Sequence, residues 1–187
     1  PLQYRDFVQE PGARQRYWAR SAVGWPWIRD RRPNAGHHAL ARLEQTGQVA
    51  GIITQNVDGL HQEAGSSRVV ELHGALRTVT CLECGRRESR DSVQERMRVI
   101  NPGWAESSGE VAPDGDVHLA EEATASFRVP ACLRCGGTLK PDVVFFGENV
   151  PADRVERAFS LMEACTALLV AGSSLTVYSG YRFVDRA

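Results

Sequence analysis

Two cysteine pairs constrain this chain more than any other feature. Two residues separate Cys81 from Cys84 and two separate Cys132 from Cys135, with residues 85–131 in between. The start, Pro1-Leu2-Gln3-Tyr4-Arg5-Asp6, has no signal-peptide pattern. Without a secretory signal, pairs at this spacing favour a metal over the alternatives, two disulfides or free thiols. Four thiolates close a tetrahedral zinc site and leave no position open to water. Cys81, Cys84, Cys132 and Cys135 are therefore candidate ligands of a structural zinc. The stretch between the pairs is longer than a simple zinc finger, so the module must fold the chain back over a long excursion. Cys165 is left over and reads as a buried small hydrophobe beside an apolar run.

Outside that excursion, helix and strand patterns alternate. Tyr4 to Glu10 reads as a short helix broken by Pro11-Gly12. Arg14 to Val23 reads as a second helix, ended by Gly24-Trp25-Pro26. Asn34 is placed to cap a helix from Ala35 to Gln45, and Gly47 to stop it. Strands are expected at Val49–Thr54, Val69–Leu72, Val143–Phe146 and Ala167–Ala171, the last apolar enough for the interior of a parallel sheet. Leu60 to Ala64 makes a helical turn, and helices are expected from Asp91 to Ile100, from Pro151 and Asp153 to Glu163, and from Tyr181 onward. Helix followed by strand, repeated, implies right-handed crossovers and an α/β fold: a Rossmann-like parallel sheet with helices on both faces, plus a small inserted zinc-binding module. Asn101 to Val129 is polar and too long for an ordinary connection, hence functional or mobile.

In a parallel sheet the strand ends meet at one crevice. Here those ends carry Gln55, Asn56 and Asp58, then His73, then Phe146-Gly147-Glu148, then Gly172-Ser173-Ser174. Small Gly and Ser residues admit a ribose or phosphate close to the backbone. A histidine at such an edge titrates near neutrality and can take a hydroxyl proton. The Gly-x-Gly-x-x-Gly fingerprint is absent. The residues alone describe a nucleotide-type site with one histidine base. Tyr17 and Arg20 share a helix face. The ordinary reading is a packed tyrosine and a solvated arginine, and the functional one is a pair that meets a ligand together. The net charge of −1 offers nothing in bulk to nucleic acid or an anionic membrane. No apolar run approaches the ~20 residues of a membrane span. Lys140 is the only lysine.

Five blocks carry a family resemblance: Thr54 to His61, Glu71-Leu72-His73-Gly74, the paired cysteines, Lys140 to Glu148, and Ala171 to Leu175. Together, in this order, they resemble the sirtuins, the NAD-dependent protein deacylases. Arg16 to Arg20, Val23 to Pro26, Asn101 to Asp116 and Val177 to Phe183 look more like the class II branch that includes sirtuin-4. The resemblance covers nearly the whole chain. The Gly-Ala-Gly-Ile-Ser loop and the late segment of a sirtuin have no counterpart, so the sequence is expected to be the middle of such a protein. The expected division is residues 1–76 and 140–187 as an NAD-binding domain, incomplete at both ends, with residues 77–139 as the zinc module.

The resemblance implies that an acyl group passes from lysine to the ADP-ribose of NAD with release of nicotinamide. His73 matches the base. Gln55 and Asn56 match residues that hold the ribose and the reacting water, and Asp58 matches the residue that binds the nicotinamide carboxamide. Gly172, Ser173 and Ser174 match the NAD-contacting turn. Val144, Phe146 and Val177 match the walls of the acyl-lysine tunnel, and Gly147 and Glu148 the edge where a substrate peptide pairs as an added strand. Tyr17 and Arg20 have the Tyr-x-x-Arg spacing that reads an acidic acyl end in desuccinylating sirtuins. The implied cofactors are NAD and zinc, and the implied partners acyl-lysine proteins or peptides, with neither nucleic acid nor membrane. The expected compartment is the cytoplasm, or the mitochondrial matrix if the source is eukaryotic. Two alternatives stay open: an ADP-ribosyltransferase on the same scaffold, and a zinc-stabilised binding module without turnover.

Overall fold

The structure, a computed structural model, describes residues 2–104, 110–111, 117–119 and 124–187. The chain opens with helices α1 (Tyr4–Gln9), α2 (Pro11–Arg29) and α3 (Ala35–Gln45). Strand β1 (Ile52–Thr54), helix α4 (Leu60–Glu63) and strands β2 (Val69–Glu71), β3 (Gly74–Cys81) and β4 (Arg87–Ser89) follow. Helix α5 (Arg90–Ile100) precedes β5 (Glu110–Val111), β6 (Val117–His118) and β7 (Leu139–Val143). Helices α6 (Ala152–Glu163) and α7 (Tyr178–Arg186) complete the set. The chain divides into two compact units, Pro1–Arg31 with Leu76–Glu148, and Arg32–Ala75 with Asn149–Ala187. Residues 1–31 and 140–148 thus pack in the unit that holds the paired cysteines, a different partition from the one expected from sequence.

In the first unit α2 runs through two positions expected to break it. Pro11 does not interrupt the chain but opens α2, where its missing N–H costs nothing. Pro26 lies inside the helix. An internal proline leaves the carbonyl four residues back without its donor, and here that carbonyl is Ala22. The Gln94 side-chain amide donates to it at 2.7 Å, so α5 supplies the hydrogen bond that α2 lacks. Arg90 reinforces the same contact by donating to the Ser21 carbonyl at 3.0 Å. Its guanidinium lies over the rings of Trp18 and Trp25. Burial pulls the Arg90 pKa down to about 10, which still leaves it charged at neutral pH. The core of this unit gathers Phe7, Trp18, Ala22, Val79, Val93, Met97 and Leu139.

Strand β3 pairs antiparallel with β4, Thr78 opposite Ser89 and Thr80 opposite Arg87, and β7 flanks β3 on its other side. The strand expected at Val143–Phe146 instead runs from Leu139 and stops at Val143. Lys140, 6% exposed, is the reason. Its ammonium donates to the Val143 carbonyl at 2.6 Å and to Glu148 Oε2 at 3.0 Å. The same Glu148 oxygen accepts from the Phe145 amide at 2.8 Å. These bonds turn the chain inward across residues 144–147, and Gly147, at φ 77°, completes the turn. Phe146 keeps one ladder contact, its carbonyl accepting from the Tyr4 amide at 2.8 Å.

Of the long 101–129 stretch, residues 105–109, 112–116 and 120–123 lie outside the described residues. The described flanks pack on α2: Trp104 Nε1 donates to the Ala19 carbonyl at 3.2 Å, and Gln15 Nε2 donates to the Phe127 carbonyl at 2.7 Å.

The second unit is built on a parallel pair, with β1 against β2 and Ile52 opposite Val69. Gly51 sits where a Cβ would lie 2.7 Å from the Arg68 carbonyl, so only glycine lets the strands close. Val70, Leu72, Ala158 and Phe183 form its core. Asn34 caps α3 as expected, with the His37 side chain completing a reciprocal capping pair.

Ala167–Ala171 is not a strand. Among the described residues β1 and β2 pair only with each other, so this apolar run has no ladder to join, and Leu169 is 82% exposed. Cys165 at its start is exposed rather than buried for the same reason. No helix among the described residues is long and apolar enough to cross a membrane.

Candidate active site and cysteine centre

Within the second unit, the polar turn after β1 and the histidine after β2 come together with the start of α7. Just past β2 the Leu72 amide bonds the Thr54 carbonyl at 2.9 Å. His73 follows, half-buried, and Gly74 at φ 84° turns the chain away. His73 Nε2 lies 2.8 Å from Ser179 Oγ. Burial lowers the His73 pKa, opposed by a hydrogen bond to the Gln55 backbone that raises it. The net shift is downward, so the ring is neutral at pH 7 and fit to accept a proton.

The Gln55 side chain is fixed as well. Its Oε1 accepts from Ser173 Oγ at 3.2 Å, and Gly180 lies so close that a Cβ there would stand 2.7 Å from Gln55 Nε2. Asn56, Asp58, Gly172, Ser173 and Ser174 are exposed. Asp58 accepts from the Leu60 amide at 3.0 Å, starting α4 behind the left-handed Gly59. The Ser173 turn is tightened by the Leu175 amide donating to Ser173 Oγ at 3.2 Å. Leu175 is the one non-glycine residue described at positive φ, 56°, a conformation that favours glycine and marks a held turn. Amides, hydroxyls and a carboxylate thus face solvent in the same unit as His73. That donor set fits a ribose and carboxamide ligand such as NAD. Sequence reasoning missed Ser179 and Gly180. Their only signal was a pair of small residues at the opening of the last helix.

The first unit holds the residues expected to meet an acyl group. Tyr17, Arg20, Val144 and Phe146 all line one cleft of about 500 Å³. Arg16, one turn before Arg20, lines it as well. Tyr17 is wedged edge-on between Phe7 and Phe145, at centroid distances of 5.6 and 5.3 Å. Arg20 Nε is buried without a hydrogen-bond partner. Glu148 turns its carboxylate to Lys140 rather than outward. Val177 is 51% exposed and belongs to the second unit.

The four paired cysteines converge. Their sulfurs all lie within 4.8 Å of one another. Cys81 and Cys135 are 3.6 Å apart and Cys84 and Cys132 are 3.7 Å apart, far beyond the ~2.05 Å of a disulfide. A zinc–sulfur bond of ~2.3 Å in a tetrahedron gives edges of ~3.8 Å, which these spacings match. Each knuckle closes alike: the Gly85 amide bonds the Cys81 carbonyl at 3.0 Å, and the Gly136 amide bonds the Cys132 carbonyl at 2.9 Å. Backbone amides of Arg134 and Cys135 draw the Cys132 thiol down to about 7, while burial and bonds from the neighbouring thiols push Cys81 up to about 12. The donor set fits a structural zinc.

The Sir2 family model matches residues 2–179. A mitochondrial sirtuin-4 of Bos taurus, named an NAD-dependent protein lipoamidase, is 52% identical over 184 residues, covering 98% of this chain and 58% of that protein. An NAD-dependent protein deacetylase of Xanthomonas campestris pv. campestris is 56% identical over 187 residues, covering 100% of this chain and 64% of that protein. The chain therefore spans less than two thirds of either relative. A solved Sir2 structure bound to an acetylated peptide matches with a TM-score of 0.73 at 31% identity, over 97% of this chain and 63% of that one. A Sir2 structure bound to a propionylated peptide gives 0.72 at 31% identity, over 97% and 64%. With the strand-end histidine, the polar turn and the four-cysteine centre already in place, these matches show that the chain belongs to the Sir2 family, the sirtuins.

Proposed function

We propose that this chain carries the catalytic centre of an NAD-dependent protein lysine deacylase. The observation that carries the reading is His73, held neutral at a strand end beside Gln55 and the Ser173 turn. Bound NAD supplies an electrophilic ribose carbon and a nicotinamide leaving group. His73 Nε2 takes the proton of a ribose hydroxyl. Gln55 and Asn56 hold the ribose and orient water, and Asp58 accepts from the nicotinamide carboxamide. Gly172, Ser173 and Ser174 let the cofactor approach the backbone closely. Val144 and Phe146 wall the acyl chain and exclude water from the reacting carbon. Gly147 and Glu148 present the turn against which a peptide backbone pairs, with Lys140 fixing its shape. Relatives named as a deacetylase and a lipoamidase, and solved Sir2 structures with acetylated and propionylated peptides, support this reading.

Mass spectrometry of NAD with an acyl-lysine peptide tests it. Free lysine, nicotinamide and O-acyl-ADP-ribose are expected. ADP-ribose attached to protein would instead establish a transferase, and binding without nicotinamide release a non-catalytic module.

The first unit's cleft supports a reading of the acyl preference. Arg20 places a cation with a buried, unpartnered Nε in a cleft that Tyr17, Val144, Phe146 and a second cation, Arg16, also line. An arginine there can grip a carboxylate with two charge-assisted hydrogen bonds. The preferred substrate is a carboxylated acyl group of roughly five or more carbons, long enough to cross the apolar wall before meeting the charge, with weak deacetylation. Arg20→Met is expected to reduce the acidic acyl reaction roughly ten- to hundredfold, the worth of one lost charge-assisted contact. Equal losses on acetyl and acidic peptides would show that Arg20 is structural.

A further inference from the structure

The deacylase reading makes His73 a base, yet its Nε2 already has a partner in this structure. Ser179 Oγ lies 2.8 Å away. Ser179 is only 8% exposed and occupies the second position of α7. That helix is anchored from within the unit. Phe183, 4% exposed, packs on Phe159 with ring centroids 4.9 Å apart. Gly180 is pressed against the Gln55 amide. The amides of Gly180 and Tyr181 both bond the Val177 carbonyl, at 3.0 and 3.2 Å. The hydroxyl therefore has little freedom to translate, although it can rotate about its own bond.

The other side of the ring decides the direction of the hydrogen bond. The Gln55 backbone bonds His73 in a way that favours the protonated ring, as a carbonyl accepting a ring N–H does. Since Nε2 faces Ser179, Nδ1 is the nitrogen left for that carbonyl. A neutral imidazole has one donor and one acceptor nitrogen. With Nδ1–H on Gln55, Nε2 carries the lone pair and the Ser179 hydroxyl is the donor.

We propose that Ser179 is the positioning residue of His73: its hydroxyl, opposed by the Gln55 carbonyl, holds the imidazole in the Nδ1–H tautomer with the Nε2 lone pair on the serine hydroxyl. When the ribose hydroxyl arrives, the serine hydroxyl rotates off and Nε2 receives the substrate proton. The ring meanwhile keeps its bond to Gln55. The role rests on the deacylase reading, but the tautomer does not depend on it.

Long-range ¹H–¹⁵N correlation spectra of ¹⁵N-histidine-labelled protein, with His73 assigned by loss of its signal in His73→Gln, read the tautomer without cofactor or substrate. The parent is expected to show one tautomer at pH 8, with Nδ1 protonated and Nε2 bare. Ser179→Ala should shift the bare Nε2 resonance, with Nδ1 still protonated against Gln55, and lower kcat on an acyl peptide by roughly tenfold, the worth of one hydrogen bond. KM for NAD should stay within roughly twofold, because the lost bond acts on turnover rather than binding. Ser179→Thr, which keeps the hydroxyl, should restore both signal and kcat. A parent protonated on Nε2, or a Ser179→Ala protein with unchanged His73 resonances and kcat, would overturn the assignment. If the parent releases no nicotinamide while its His73 signal still depends on Ser179, the positioning contact stands and the deacylase reading fails.

Discussion

Partial burial lowers the His73 pKa, and that has two consequences at the scale of one residue. Activity should rise with pH through a pKa below the ordinary 6.5 of histidine and then level off through neutrality. For stability, the fold favours the neutral ring, so below pH 6.5 the unfolded chain binds the proton and the folded chain resists it. The contribution of His73 is therefore complete above pH 6.5 and is lost as pH falls through the lowered folded pKa. Melting temperatures of the parent and His73→Gln, measured from pH 8 to about pH 5, should converge in the acid range. A gap that widens toward acid would show that His73 is protonated in the folded state. That Gln55 and His73 follow strands and that the four cysteines converge was legible in the sequence from short-range spacing. Ser179 was not. It meets His73 across 106 positions, and a lone hydroxyl carries no pattern of its own. Cys165 was misread because its apolar neighbours suggested a strand, and burial there depends on pairing that the described residues do not provide.

Helices α2 and α5 show how one element corrects another. Gly24-Trp25-Pro26 is a sound stop signal locally, and α2 passes through it because Gln94 reaches the carbonyl that Pro26 orphans. Gln94→Leu removes that donor and leaves the Ala22 carbonyl unpaired. The expected cost is about 1–3 kcal/mol of stability, read as a lower denaturant midpoint at unchanged slope. An unaffected midpoint would mean that water or a neighbouring group replaces the amide. Local sequence gave no hint of this, since the partner lies on a helix of the cysteine-bearing unit. The capping of α3 by Asn34 was legible because donor and acceptor are three residues apart. The early end of β7 was not, because it depends on the buried pair of Lys140 and Glu148, and nothing in a local window shows which charged side chains will turn inward.

At the scale of the molecule, the α/β class was readable from alternating periodicities, while the grouping of residues 1–31 with the cysteine centre was not. That grouping comes from α2, whose Trp18 is fully buried and donates to the Leu139 carbonyl at 3.2 Å. Metal removal should therefore reach beyond the knuckles. Structural zinc binding is also folding free energy, on the order of 10 kcal/mol in small peptides. A strong chelator should unfold the first unit, expose Trp18 and Trp25 to solvent as a fluorescence change, and then abolish activity. Activity that persists unchanged after the metal is stripped would refute a structural role.

The central claim is that His73 serves an acyl transfer to the ribose of NAD. Its most direct test is the stoichiometry of nicotinamide, deacylated lysine and O-acyl-ADP-ribose in one reaction mixture, with His73→Ala alongside. Equal amounts of all three are expected from the parent. The variant should show none of the three, while keeping the parent's melting profile and much of its NAD affinity. Nicotinamide released without lysine deacylation, or turnover by His73→Ala within a few-fold of the parent, would contradict it.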